Sequence, residues 1–174
     1  MFFVQMSGFP GSGKSTLARE IAKRSGAVII DHDIVKSALL YSMEEIQIDS
    51  RAAGRVSYEI EWALIDFHLS QGHAVILDSP CLYDEMVDKG TALAEKYHVK
   101  YKYVECCLDD LSKINARLKN RKQMISQIKD IKSEAAFEET MGNSKKPANH
   151  QCLVVDTGQP LESYIAEVMN YINE

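Results

Sequence analysis

Residues 8–16 read "GFPGSGKST", and the rest of the chain is read outward from them. Three glycines and a proline precede a lysine where an ordinary helix would take none of them. Gly8, Gly13, Lys14 and Ser15 satisfy G-x-x-x-x-G-K-[ST], a spacing in which each residue type has a chemical reason. Glycines leave no side chain in the way, so successive N–H groups from Gly11 through Ser12 to Thr16 can converge on phosphate oxygens. Lys14 then reaches the β- and γ-phosphates as a point charge. Ser15 offers a hydroxyl to Mg²⁺, which keeps most of its shell as phosphate oxygens and water. A helix opening at Lys14 adds its partial positive N-terminus.

The flanks agree with a strand, a loop and a helix in that order. "FFVQM" is a mostly apolar run of strand length. "KSTLAREIAKRSG" places Leu17, Ala18, Ile21 and Ala22 on one helical face and Gly26 as a stop. With 174 residues the chain is expected to be one domain, and its 45% hydrophobic and 26% charged content is globular. No run is apolar for long enough to span a membrane, and the N-terminus lacks a signal-peptide pattern, so the expected location is cytoplasmic. Cys81, Cys106, Cys107 and Cys152 have no C-x-x-C spacing and are expected to be reduced and at least partly buried. The five histidines show no metal-ligand spacing, which argues against zinc.

Strand-like and helix-like segments alternate along the chain. "AVII" reads as a strand and "DIVKSALLYS" as a helix. "SYEIEWALIDFHLSQG" reads as a helix with Ile60, Leu64 and Phe67 on one face. "AVILD" is a short buried strand, and "YDEMVDKGTALAEKYH" a helix through Met86, Leu93, Ala94 and Tyr97. Then come "YKYVECCL" as strand, "LSKINARLKNR" as helix, "CLVVD" as the last strand and "LESYIAEVMNYI" as a closing helix. Five strands separated by helices imply an α/β fold with a mainly parallel sheet covered on both faces. Residues 122–150 break the rhythm: they are polar, lack a strand signal, and offer at best a short helix at "SEAAFEETM". A connection of that length is functional or disordered, and it is expected to act as a lid. It follows Arg117 and Arg121, four apart and so on one helical face. Solvated charge is one reading of that pair. Beside a phosphate loop, planar guanidiniums also suit phosphoryl oxygens and purine faces.

Together, "GFPGSGKST", "DHDIVK", "VILDSP", "INARLKNR" and "VVDTGQP" resemble the P-loop kinases. The nearest branch is the one with polynucleotide kinases, zeta toxins, chloramphenicol phosphotransferase and gluconate kinase, often labelled loosely as AAA-domain ATP-binding proteins. The resemblance implies a three-layer α/β/α sandwich of five parallel strands in the order 2-3-1-4-5, spanning residues 1–174. It implies that Asp33 takes the proton of the acceptor hydroxyl, with Asp31 a competitor; either would also suit a helix N-cap. Lys36 falls where polynucleotide kinases hold substrate phosphate. Asp78 matches the strand-end aspartate that helps hold Mg²⁺ with Ser15, and is otherwise a turn residue before Pro80. Arg117 would lie against adenine, Arg121 would contact the transferring phosphoryl group, and the turn with Thr157 and Gly158 would pass the base.

Departures narrow the class. "VILDSP" lacks the adjacent glutamate of mechanical AAA+ ATPases, no [NT]-K-x-D motif reads guanine, and no "LSGGQ" occurs. The expected activity is an ATP-dependent kinase acting on a hydroxyl of a small molecule, as a monomer or homodimer. A formal net charge of −5 without a basic stripe makes a polynucleotide acceptor the weaker alternative. A regulatory ATP switch acting on a protein partner is another, since it needs the same loop but no Asp33.

Overall fold

The structure is a computed structural model, which describes residues 1–174 apart from 44–47, 132, 134–136, 139–141 and 143. Its strands are β1 (Phe2–Ser7), β2 (Val28–Asp31), β3 (Val75–Asp78), β4 (Lys100–Cys107) and β5 (Cys152–Asp156). The described helices are α1 (Lys14–Ser25), α2 (His32–Ser42), α3 (Ser50–Ser70), α4 (Asp84–Lys96), α5 (Leu111–Asn120) and α6 (Leu161–Asn173). All paired strands are parallel, and their order is β2-β3-β1-β4-β5, as the resemblance implies. Parallel strands separated by helices must be covered on both faces, which explains why every residue of β1 is buried.

The period of two in β1 divides the core. Phe2, Val4 and Met6 pack with Leu17 and Ile21 of α1 and with Ile165, Val168 and Ile172 of α6. Phe3 points the other way, into Trp62, Ile65 and Leu69 of α3 and Met86 and Ala94 of α4. A third cluster lies past the carboxyl ends of the strands, where Phe9, Leu108, Ile114 and Leu118 meet Phe137. The rings of Phe9 and Phe137 stand edge to face with centroids 4.8 Å apart, tying the 122–150 segment to the glycine-rich loop.

Helix α3 departs from the expected pattern. It begins at Ser50, two turns before the expected start, capped by Asp49, whose carboxylate accepts from the N–H groups of Arg51 and Ala52. Ile60, Leu64 and Phe67 do share a face, but it points outward, with 41, 37 and 57% exposure. The inward face carries Ser57, Glu61, Trp62, Ile65 and Leu69. The physical reason lies in another element: Glu61 is drawn inward by His32 of α2, whose Nδ1 lies 2.8 Å from its Oε1, and Gly54 lies against the Lys36 side chain. Close packing of α2 on α3 asks for small and polar partners there, not a larger apolar stripe.

Most of the short helix expected at "SEAAFEETM" lies outside the described residues; Phe137 and Glu138 are helical. Farther on, the 122–150 segment is bonded to the body. Ser144 Oγ lies 2.9 Å from Ser7 Oγ, the Lys145 N–H donates to the Cys81 carbonyl at 2.8 Å, and the Tyr103 hydroxyl donates to the Lys145 carbonyl.

Candidate active site

A cleft of about 1660 Å³ opens over the carboxyl ends of the strands, where open α/β sheets bind ligands. One wall is the loop of residues 8–16. Gly8 has φ +129° and Gly13 has φ +95°, backbone that side chains rarely adopt. A Cβ on Gly8 would also stand 2.3 Å from the Cys106 carbonyl oxygen, so this position has no room for another residue. Gly11, Gly13, Lys14, Ser15 and Thr16 line the cleft. Ser12 is buried beneath the loop.

Lys14 is buried, and its ammonium donates to the carbonyls of Gly8 at 2.8 Å and Phe9 at 3.1 Å. Burial pushes its pKa down, and the nearby carboxylate of Asp78 opposes that shift most strongly. Asp78, at the end of β3, is pushed up by its own burial, with Lys14 as the main opposing influence and a hydrogen bond from Ser15 adding to it. The Ser15 hydroxyl and Asp78 carboxylate are thus adjacent hard oxygen donors. Their chemistry fits Mg²⁺ that takes its remaining ligands from phosphate and water. Among the described residues no group of three or more His, Cys, Asp or Glu could cage a metal.

The opposite wall comes from α2 and α3. Asp31 is the N-cap of α2, its Oδ1 accepting from the N–H groups of Asp33 at 2.9 Å and Ile34 at 3.3 Å. Burial, then the charge of Asp78, raises its pKa to about 6. Asp33 lies in the first turn, close enough to Lys14 and Arg121 to influence both electrostatically. Its two carboxylate oxygens accept from Ser126 Oγ at 3.0 Å and Gln127 Nε2 at 2.8 Å, so the segment after α5 closes directly on it. Lys36, Arg51, Arg55, Tyr58 and Tyr83 also line the cleft.

The third side is α5 and the turn after β5. Arg117 donates to the carbonyls of Thr157 at 2.7 Å and Gly11 at 3.4 Å, bridging that turn to the glycine-rich loop. The Thr157 hydroxyl sits between the carbonyls of Ser12 and Cys107. Gly158 donates its N–H to Asp156 at 2.8 Å and, unlike Thr157, does not line the cleft. Arg121 donates through one terminal nitrogen to the Ile128 carbonyl at 2.9 Å, while its buried Nε has no partner among the described residues. Arg121 also lines the cleft, where a guanidinium is the kind of donor that suits a phosphoryl oxygen.

Lys14, Ser15, Asp33, Asp78, Arg117 and Arg121, separated in sequence, therefore meet around one cleft. Lys145 and Lys146 do not line it; they pair with Asp84 and Glu105. Sequence reasoning missed the wall of α3 and the His32–Glu61 pair. A glutamate in mid-helix reads as a solvated charge, and only its contact with α2 reveals that it is fully buried. The Ser126 and Gln127 clasp on Asp33 was also without a local signal.

The four cysteines are free, two of them buried, in line with their expected state. No described helix is long and apolar enough to cross a membrane.

Several solved structures share the fold. A provisionally assigned kinase from Chloroflexus aurantiacus superposes with a TM-score of 0.77 at 18% identity, covering 97% of each chain. A gluconokinase from Sinorhizobium meliloti gives 0.61 at 20% identity, over 98% of this chain and 90% of its own. The APS kinase of Mycobacterium tuberculosis, in complex with AMPPNP and APS, gives 0.63 at 14% identity, over 99% and 97%. At such identities the likeness is one of fold. No curated protein sequence matches the chain. The family model described as "AAA domain" matches residues 3–143, most of the chain and every strand but the last. The chain belongs to the AAA domain family, in the fold of the P-loop kinases.

Proposed function

We propose that the protein is an ATP-dependent kinase that transfers the γ-phosphoryl group to a hydroxyl of a small molecule. The observation that carries this reading is the meeting of Asp33 with Lys14 and Arg121 in one cleft, because a nucleotide switch needs the cations but has no use for a carboxylate facing them. The likeness in fold to a gluconokinase and an APS kinase supports a small acceptor. The pairing of Lys145 and Lys146 with carboxylates weakens the polynucleotide alternative, which would want them free for a backbone.

In this mechanism the loop N–H groups and Lys14 cradle the β- and γ-phosphates. Arg117 and the Thr157 turn border the base, and Ser15 with Asp78 would hold Mg²⁺, which would supply charge neutralisation to the phosphates. Asp33 accepts the proton of the acceptor hydroxyl as its oxygen bonds to the γ-phosphorus. The bond from that phosphorus to the β,γ-bridging oxygen breaks, leaving ADP. Lys14 and Arg121 offset the charge on the moving group, so catalysis is mainly positioning and electrostatics. For the acceptor to reach Asp33, the Gln127 amide must give up its bond, which makes residues 126 and 127 the working edge of the proposed lid. Ser144 and Lys145, bonded to Ser7 and to the Cys81 carbonyl, would stay in place.

The test is ADP release measured against a panel of small alcohols, sugars, nucleosides and 5′-hydroxyl oligonucleotides. Acceleration over the water-only background by a small hydroxyl compound, lost in Asp33→Asn, is expected. A flat response, with turnover stimulated only by a protein partner, would favour the regulatory switch.

A further inference from the structure

The cleft has a charge pattern that ATP does not account for. The protein is acidic as a whole, at −5, yet nine lysines and arginines line the cleft against five carboxylates. Lys14, Arg117 and Arg121 belong to the nucleotide side. Lys36 follows Asp33 on α2, and Arg51 and Arg55 come from α3, the helix that packs on α2. Lys36 stands one turn after Asp33 on α2, and its Nζ comes within 3.6 Å of where a Cβ on Gly54 would be, between the two arginines in sequence. Arg51, Arg55, Tyr58 and Trp62 recur at helical spacing and all face the cleft.

Bordering acids are already engaged. Glu59 and Glu85 both hold Lys89, at 2.8 and 3.1 Å. Asp49 influences both arginines, but its carboxylate serves the helix cap. Among the described residues no ion pair takes Lys36, Arg51 or Arg55. Next to the cations are two aromatic side chains, Tyr58 and Tyr83. The Tyr58 ring is stacked on His32 at 4.2 Å between centroids and meets Tyr83 edge to face at 6.4 Å. His32 is held from behind by Glu61, which supports the Tyr58 ring stacked on it.

We infer that the acceptor is a small hydroxyl compound that itself carries an acidic group, a phosphate monoester or a carboxylate, gripped by Lys36, Arg51 and Arg55 while its body rests on Tyr58 and Tyr83. The inference rests on the kinase reading for the hydroxyl, but the anion grip stands on its own residues. Guanidiniums in a partly enclosed cleft bind such groups by paired charge-assisted hydrogen bonds. Their place on the wall that carries Asp33 would direct the hydroxyl toward the base and the γ-phosphate.

The experiment uses matched compounds, each with and without its acid: glucose, gluconate and glucose 6-phosphate; adenosine, cytidine and their 5′-monophosphates. Binding is measured by calorimetry in the presence of a non-hydrolysable ATP analogue, and transfer by ADP release. The variants are Arg51→Gln, Arg55→Gln and the pair combined; both positions are exposed, so folding should survive. At least one acid should bind ten-fold or more tighter than its neutral partner. The double variant should erase that preference, through a KM raised ten-fold or more, with affinity for the ATP analogue unchanged. Sugar acids against monophosphates identify which anion is preferred. Arginine-dependent binding of an acid without transfer would support the grip and count against the kinase reading. Transfer to neutral compounds only would keep the kinase reading and overturn the grip. The grip is also overturned by failure of every acid to bind at millimolar concentration, by loss of ATP-analogue affinity in the double variant, or by preference for an oligonucleotide with steep salt dependence.

Discussion

The loop wall of the cleft is one run of sequence, residues 8–16, whereas the facing wall takes Asp33 and Lys36 from α2, Arg51, Arg55 and Tyr58 from α3, and Tyr83 from the turn before α4. The two are also held differently. The loop is held by backbone that only glycine tolerates, with the Cys106 carbonyl pressed against Gly8. The facing wall is held by side chains, chiefly the buried Glu61 reaching His32, with a second carboxylate oxygen lacking a partner among the described residues. A loop of the first kind can be recognised from its spacing, because its geometry is fixed by neighbours in sequence. The second kind exists only once two helices are packed, and there the same residue types could have faced solvent.

That contrast can be tested most forcefully on the loop. Lys14→Ala should lower turnover by roughly 10²–10³-fold, since it removes a preorganised charge from the transferring group, with little change in the folded state. Parent-like turnover and nucleotide titration would mean that the loop wall is not the nucleotide wall. On the facing wall, Asp33→Asn should leave ATP binding intact and cut phosphoryl transfer by about a hundredfold or more. Asp31→Asn should do far less to transfer, because its Oδ1 is committed to the α2 cap. Should the Asp31 variant be the dead one, the roles of the two aspartates are exchanged.

The packing of α3 predicts a difference in stability between two isoleucines that look alike in sequence. Ile65→Ala, at a fully buried position, should cost about 3 kcal/mol in denaturant unfolding, whereas Ile60→Ala, 41% exposed, should stay within about 0.5 kcal/mol. A larger loss for Ile60→Ala than for Ile65→Ala would place the helix in the orientation that its apolar spacing suggests.

The smallest effect concerns the Asp31 charge. Its pKa near 6 lies above the ordinary 3.8, so the folded protein binds more protons than the unfolded chain between those values, and stability falls as pH rises through that window. Asn caps a helix about as well as Asp, so Asp31→Asn should match the parent below pH 4 and exceed it above pH 6. A Tm gain of about 2 °C or less is expected, because the group is partly exposed. A gain at low pH that vanishes at pH 7 would reverse the sign and refute the burial account.

Residues 8–16, the five strands and their alternation with helices were legible in the sequence because each depends on near neighbours: glycine conformations in the loop, and short apolar runs in the strands. Among the cleft residues Lys14 follows from the loop spacing, whereas Asp33, Asp78 and Arg121 come from the family resemblance, with Asp31 as an alternative to Asp33. The outward turn of Ile60, Leu64 and Phe67 was not legible, nor was the cleft face of Arg51, Arg55 and Tyr58. Helical spacing defines a face without saying which way it points, and orientation is decided by what packs against it. Here the partner is α2, with His32 pulling Glu61 inward, and that contact spans 29 positions of sequence. The clasp of Ser126 and Gln127 on Asp33 spans more than ninety. No periodicity or motif reports such a distance, so the tertiary structure alone decided what faces the glycine-rich loop.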